Sequence, residues 1–167
     1  MKQSYIKKII ALIILIAAFI SCDLERLEPA LKTADGGGTV ETFMAYTIEA
    51  TDPEGSNVYG RVVFWKTDLD QTLVQISLYN TIDEMLHPAV LVEGAVGMGT
   101  TSLLPLDNVN GSTGELAENK FFLIADTSFY DSISGLDAHV SIALSPTDTT
   151  IVAAGDIGIN ADPVASN

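Results

Sequence analysis

Val74, Ile76 and Leu78 alternate with Gln75, Ser77 and Tyr79. Val140, Ile142 and Leu144 alternate in the same way with His139, Ser141 and Ala143. A period of two places each apolar set on one face of an extended chain, so both stretches are predicted strands with that face in a core. Val58 to Lys66 is rich in β-branched and aromatic residues, which suit a pleated, half-buried surface. Turn chemistry separates these runs. Asp52-Pro53-Glu54-Gly55 sets Pro at the second turn position and Gly at the fourth, and Asp68 to Gln71 and Ser145 to Thr149 each divide two strands as hairpin loops. Asn110-Gly111 and Ser112-Thr113-Gly114 punctuate the middle of the chain, and Ser128 to Ser134 has the length of one helical turn. Seven or eight short strands at this spacing predict an all-β fold, an antiparallel β-sandwich beginning at Thr39.

The pattern before Thr39 is different. Lys2, Lys7 and Lys8 precede an uninterrupted apolar run from Ile9 to Ile20, and Ser21 and Cys22 follow. A positive head, a short apolar stretch and a small residue at a cut site describe a secretory signal over residues 1–21. Twelve apolar residues fall short of the roughly 20 that a membrane-spanning helix needs. Cys22 is the only cysteine, so it has no partner for an internal disulfide. Phe19-Ile20-Ser21-Cys22 resembles the bacterial lipobox, with Phe19 in place of the usual Leu. The resemblance implies that Cys22 is lipidated and becomes the new N-terminus, in a bacterial cell envelope and most naturally at the outer membrane. Acyl chains contribute about 0.8 kcal/mol per buried CH₂, which anchors a protein without a span. An uncut helix, or a secreted protein with a free thiol, are the competing expectations. Residues 22–38 read as the lipidated cysteine and a tether, ending in Asp35-Gly36-Gly37-Gly38; about 15 flexible residues span roughly 20 Å.

Charge narrows the partners. Removing residues 1–21 leaves 146 residues, enough for one domain with a real core. It also leaves five basic residues (Arg26, Lys32, Arg61, Lys66 and Lys120) against 22 acidic ones, a net charge of about −17. Such a surface repels phosphate backbones, so nucleic acid is excluded as a partner. The acids are scattered rather than blocked, as a solvated surface would have them.

Several strings fall in order: Gly60-Arg61-Val62-Val63-Phe64, His87-Pro88-Ala89-Val90-Leu91-Val92-Glu93-Gly94, Leu104-Pro105-Leu106-Asp107, Gly111-Ser112-Thr113-Gly114, Tyr130-Asp131, Ala138-His139-Val140 and Gly155-Asp156-Ile157-Gly158-Ile159-Asn160. Together, over Thr39 to Ala161, they resemble the CHRD domain, named for chordin and common in bacterial lipoproteins. Residues 162–167 remain as a C-terminal tail. The resemblance implies a Greek-key β-sandwich, loosely like copper–zinc superoxide dismutase, and supplies little mechanism. The chain departs from the pattern where the family usually reads His-x-His and carries a later histidine: Val90, Val92 and Ala143 stand there. Residues two apart on a strand share a face, so a His-x-His pair converges on one metal where three small apolar residues do not.

No catalytic constellation emerges. His87 and His139 are the only histidines and are weak remnant candidates for a metal pair; a turn His87 before Pro88 and a strand His139 is the plainer expectation. Asp68-x-Asp70 lacks the further oxygen ligands of a calcium loop. Gly155, Asp156 and Gly158 are expected to form a structural turn in which the carboxylate accepts backbone N–H groups. There is no Gly-x-Ser-x-Gly elbow, Ser141 and His139 are strand neighbours, and no acid sits in an apolar run that would suit a glycosidase. Trp65 is the sole tryptophan for stacking on a sugar, and Asn110-Gly111-Ser112 reads as a turn although it matches a glycosylation sequon. No cofactor is expected. Two functional classes remain: a non-catalytic envelope module that binds a protein or glycan, and a metal-binding or redox domain on a dismutase-like sandwich.

Overall fold

The computed structural model describes residues 42–116 and 120–165, all within one compact unit, Thr33–Asn167. The signal segment, Cys22 and the tether to Gly38 lie outside the described residues. Ten strands are described: β1 (Thr42–Ala50), β2 (Tyr59–Lys66), β3 (Thr72–Tyr79), β4 (Leu86–His87), β5 (Ala89–Glu93), β6 (Ser102–Pro105), β7 (Val109–Asn110), β8 (Phe122–Ile124), β9 (Asp137–Ala143) and β10 (Ile151–Gly158). Eight form one curled antiparallel sheet in the order β6-β5-β9-β10-β1-β2-β3-β8, and β4 pairs with β7 apart from it. The fold is all-β and sandwich-like, as the alternation predicts, with two more strands than the upper expectation because two-residue pairs such as Leu86↔Asn110 and His87↔Val109 carry no period of their own.

The curl depends on β1. From Thr42 to Ile48 it pairs with β2, and at Glu49 and Ala50 it pairs with β10. One strand thus serves both halves of the sheet, whose inner faces close on each other. Gly155 makes the handover possible: a Cβ there would lie 2.1 Å from the Thr47 carbonyl oxygen. Tyr46, Ile48, Val62, Phe64, Val74, Ile76 and Leu78 from one half meet Leu91, Ala138, Val140, Ile142 and Ile157 from the other, all buried. Leu144, expected beside Val140 and Ile142, is only half-buried, because β9 ends at Ala143 and the chain turns away there. The turn expected near Ser128 is a short helix, α1 (Phe129–Ser132), running into a 3₁₀ turn at Ile133–Gly135. It brings Tyr130 and Ile133 onto the core.

The hairpin loops fall where turn chemistry placed them. Gly55 N–H donates to both the main-chain oxygen (3.2 Å) and Oδ1 (2.9 Å) of Asp52. Asp70 takes φ of 59° in the β2–β3 loop and its carboxylate lies 3.5 Å from Lys66 Nζ. Among the described residues the tail contributes one hydrogen bond: Val164 N–H donates to the Ala45 carbonyl at 2.8 Å, three residues beyond Ala161.

Candidate functional site

The outer face of the β5–β9–β10 half carries a groove of about 640 Å³, within the range of roughly 300–1,000 Å³ typical of small-molecule sites. Strand pairing builds its floor. Val92 lies opposite His139, which lies opposite Asp156; Val90 lies opposite Ser141, which lies opposite Ala154. Ala138, Val140 and Ile142 point inward to the core, so His139, Ser141 and Ala143 point outward into the groove. Val90, Val92 and Ala143, the three places where the family resemblance would supply histidine, therefore share one cavity with His139.

Two loops wall this floor and both are tied down. Between β5 and β6, Gly94 and Gly97 adopt φ of 81° and 78°, Gly94 N–H donates to the Asp137 carbonyl at 2.9 Å, and Val96 N–H donates to Asp156 Oδ1 at 2.7 Å. Between β9 and β10, Ser145 Oγ accepts from the N–H groups of Thr147 (3.3 Å) and Asp148 (3.0 Å). The hydroxyl and N–H of Thr150 hold the Asp148 carboxyl below the usual aspartate range. Because the walls rise over the sheet, His139, Ser141 and Ala143 are buried although they sit on the outer face. Among the described residues, no charged residue lines the groove.

His139 is 4% exposed, and its Nδ1 lies 2.7 Å from the Gly94 carbonyl oxygen. A carbonyl only accepts, so Nδ1 carries a proton, and in the neutral ring the lone pair stands on Nε2. Nε2 has no hydrogen-bond partner among the described residues. His87 is placed differently. It is fully buried, its Nδ1 donates to the Ala143 carbonyl at 3.2 Å, and its Nε2 accepts from Ile82 N–H at 3.3 Å, so both nitrogens are occupied. The structure does not bring the two histidines together: the β9 residue whose carbonyl His87 holds is four positions from His139, roughly 13 Å along a strand. Among the described residues, no three of His, Cys, Asp or Glu are grouped to hold a metal ion.

Other expected sites resolve locally. Gly155, Asp156 and Gly158 do not form a turn but lie within β10, which stays extended because Gly155 lets it pass close to β1. Only at Gly158, with φ of 66°, does the strand end and Ile159–Asn160 turn. Asp156 accepts a backbone N–H as expected, from the distant Val96 rather than from its own turn. Asn110-Gly111-Ser112 is a turn, with Asn110 Oδ1 accepting from Ser112 N–H at 2.9 Å. Trp65 packs on Phe43 at 5.0 Å and points its Nε1–H at Gln75 Oε1, 3.4 Å away. Ser141 and His139 share the groove floor, but no hydrogen bond joins them, and the Nδ1 position a triad acid would take is filled by the Gly94 carbonyl. A smaller cavity of about 20 Å³, beside Val74, Val109 and the buried Glu115, has room for about one water. Alternation alone did not reveal the groove, since it reports which residues face inward and not what loops stand over the other face.

The chain matches no protein-family model, no curated protein and no solved structure.

Proposed function

We propose that this chain is a lipid-anchored envelope protein, held at the outer membrane through Cys22, whose CHRD-like domain is a non-catalytic binding module. The observation that carries the binding half is the groove: preformed, walled by hydrogen-bonded loops, and floored by Val90, Val92, Ser141 and Ala143 around a single imidazole. Aliphatic and hydroxyl side chains recognise a surface or a ligand; they supply neither a nucleophile poised against a base nor the three or four donors of a tight zinc or copper site. An envelope protein or glycan is the partner class that location suggests. The anchoring half rests on the charged head, the apolar run and the lone cysteine.

A metal-binding or redox role is the second reading, and the free Nε2 of His139 in the groove is what favours it. Elemental analysis of the purified full chain after dialysis separates the two. Zinc or copper retained at one per chain, and lost in His139→Ala, would overturn the binding-module proposal. A Cys22→Ser chain should leave the membrane fraction and lose its acyl label; if it stays as firmly bound as the parent, an uncut helix is the anchor.

A further inference from the structure

We infer that the groove takes a small uncharged molecule with an apolar body and one O–H or N–H donor, which bonds to His139 Nε2. The inference rests on the binding-module reading and adds a small ligand for the groove to the envelope protein or glycan partner. The chain has 22 acidic residues, yet among the described residues none reaches the groove lining, and no Lys or Arg does either. An anionic ligand would meet an acidic protein with no cation at the site. A cationic ligand would find no carboxylate there, and an unpaired ion is expensive to desolvate. A neutral body loses nothing by leaving water for Val90, Val92, Pro146 and Ile151.

Nδ1 is committed as a donor to the Gly94 carbonyl, which in the neutral ring leaves Nε2 as the acceptor on a groove-lining residue that is 4% exposed. Nε2 is not among the side-chain atoms sealed from solvent without a partner, so it stays open to a donor, and the groove that His139 lines is the side from which one can come. Ser141, Ser145 and Thr149 add hydroxyls that adapt as donors or acceptors to the rest of a ligand.

N-Phenyl-1-naphthylamine has the required chemistry: an uncharged aromatic body, one N–H, and fluorescence that rises in apolar surroundings. Its 8-sulfonate differs by one negative charge. Both would be titrated into the full chain in micelles, with Val90→Trp in the same micelles as the blank, because that side chain fills the groove from its half-buried outer face without entering the core. The parent should show saturable one-site binding of the amine above the blank, with the sulfonate at least tenfold weaker. His139→Asn retains a nitrogen for the Gly94 carbonyl and removes the Nε2 acceptor. It should weaken the amine about three- to tenfold, as loss of one neutral hydrogen bond does. The absence of saturable binding, equal or tighter sulfonate binding, or an unchanged affinity in His139→Asn would each overturn the inference. Metal content measured on the same sample keeps the two proposals apart. A metal-free chain that ignores the amine sinks this inference alone, whereas stoichiometric zinc or copper sinks the binding-module reading whatever the dye does.

Discussion

A single methyl group at Gly155 should weaken the closure of the sheet. An ideal Cβ there would stand 2.1 Å from the Thr47 oxygen and 3.0 Å from the Ile48 Cα and the Thr47 carbonyl carbon. Ordinary contacts between such atoms are roughly 3.5 Å, so strands β1 and β10 must part by over about 1 Å. The atoms in the way are main chain and cannot rotate aside. The strain falls next to Glu49↔Ala154 and Ala50↔Ala153, the two pairings that join the halves of the sheet. Overpacking of this kind costs about 1–3 kcal/mol, and a rigid obstacle argues for the upper end. For a domain near 150 residues, 3 kcal/mol lowers Tm by about 6–12 °C. Urea unfolding followed by far-ultraviolet dichroism measures the loss as a fall in midpoint at unchanged slope. Gly135→Ala is the control, because nothing lies within 4 Å of its added Cβ; it should fall within about 0.5 kcal/mol of the parent. If Gly155→Ala unfolds at the same urea concentration as Gly135→Ala, β1 and β10 are not in close contact and the handover described for β1 is wrong.

Three further outcomes follow from the packing. Ile142→Ala, at a fully buried site, should destabilise by about 2–5 kcal/mol, and Leu144→Ala by clearly less because Leu144 is half-buried; equal losses would contradict the end of β9 at Ala143. Thr72→Val should raise the urea midpoint by an amount on the order of 1 kcal/mol, since the buried Thr72 hydroxyl has no partner and Val keeps its shape; a loss would mean that the hydroxyl is bonded. Burial pushes the Tyr46 and Tyr130 phenols above the ordinary tyrosine value of 10.0. A raised folded pKa contributes stability that is fully present below the unfolded value and is lost as pH rises through the folded one. Stability should therefore be level with respect to these groups below pH 10.0 and decline above it. The decline should be shallower in Tyr46→Phe; an unchanged alkaline slope would show that Tyr46 ionises as freely folded as unfolded.

Much of this fold was legible in two side-chain rows. Val74, Ile76, Leu78, Val140 and Ile142 alternate cleanly and are buried, because a strand with one solvated face must alternate. The loops after Lys66 and Leu144 were legible for the same reason that they turn: Asp, Ser, Thr and Pro hydrogen-bond or preset the backbone there. The groove was not legible. His139, Ser141 and Ala143 occupy the polar phase of the alternation, which predicts exposure, and the adjoining β9–β10 loop together with the sequence-distant β5–β6 loop buries them instead. Even so, Val90, Val92 and Ala143, which the sequence pattern had already singled out, converge on that site. For Val90 and Val92 this follows from strand period. For Ala143 it needs the β5–β9 pairing, which no local pattern records. The curl through Gly155 was hidden too, because a glycine beside an aspartate reads equally well as a turn.

The claim that this domain binds through its uncharged groove is tested most directly by the valine methyl spectrum of the full chain, isotope-labelled and titrated with N-phenyl-1-naphthylamine. Val90, Val92 and Val96 line the groove, whereas Val74 and Val109 border the separate small cavity beside Glu115. The account predicts that the methyl signals of Val90, Val92 and Val96 move together and saturate, while those of Val74 and Val109 stay in place. Saturable movement confined to Val74 and Val109, or none at Val90 and Val92, would contradict it.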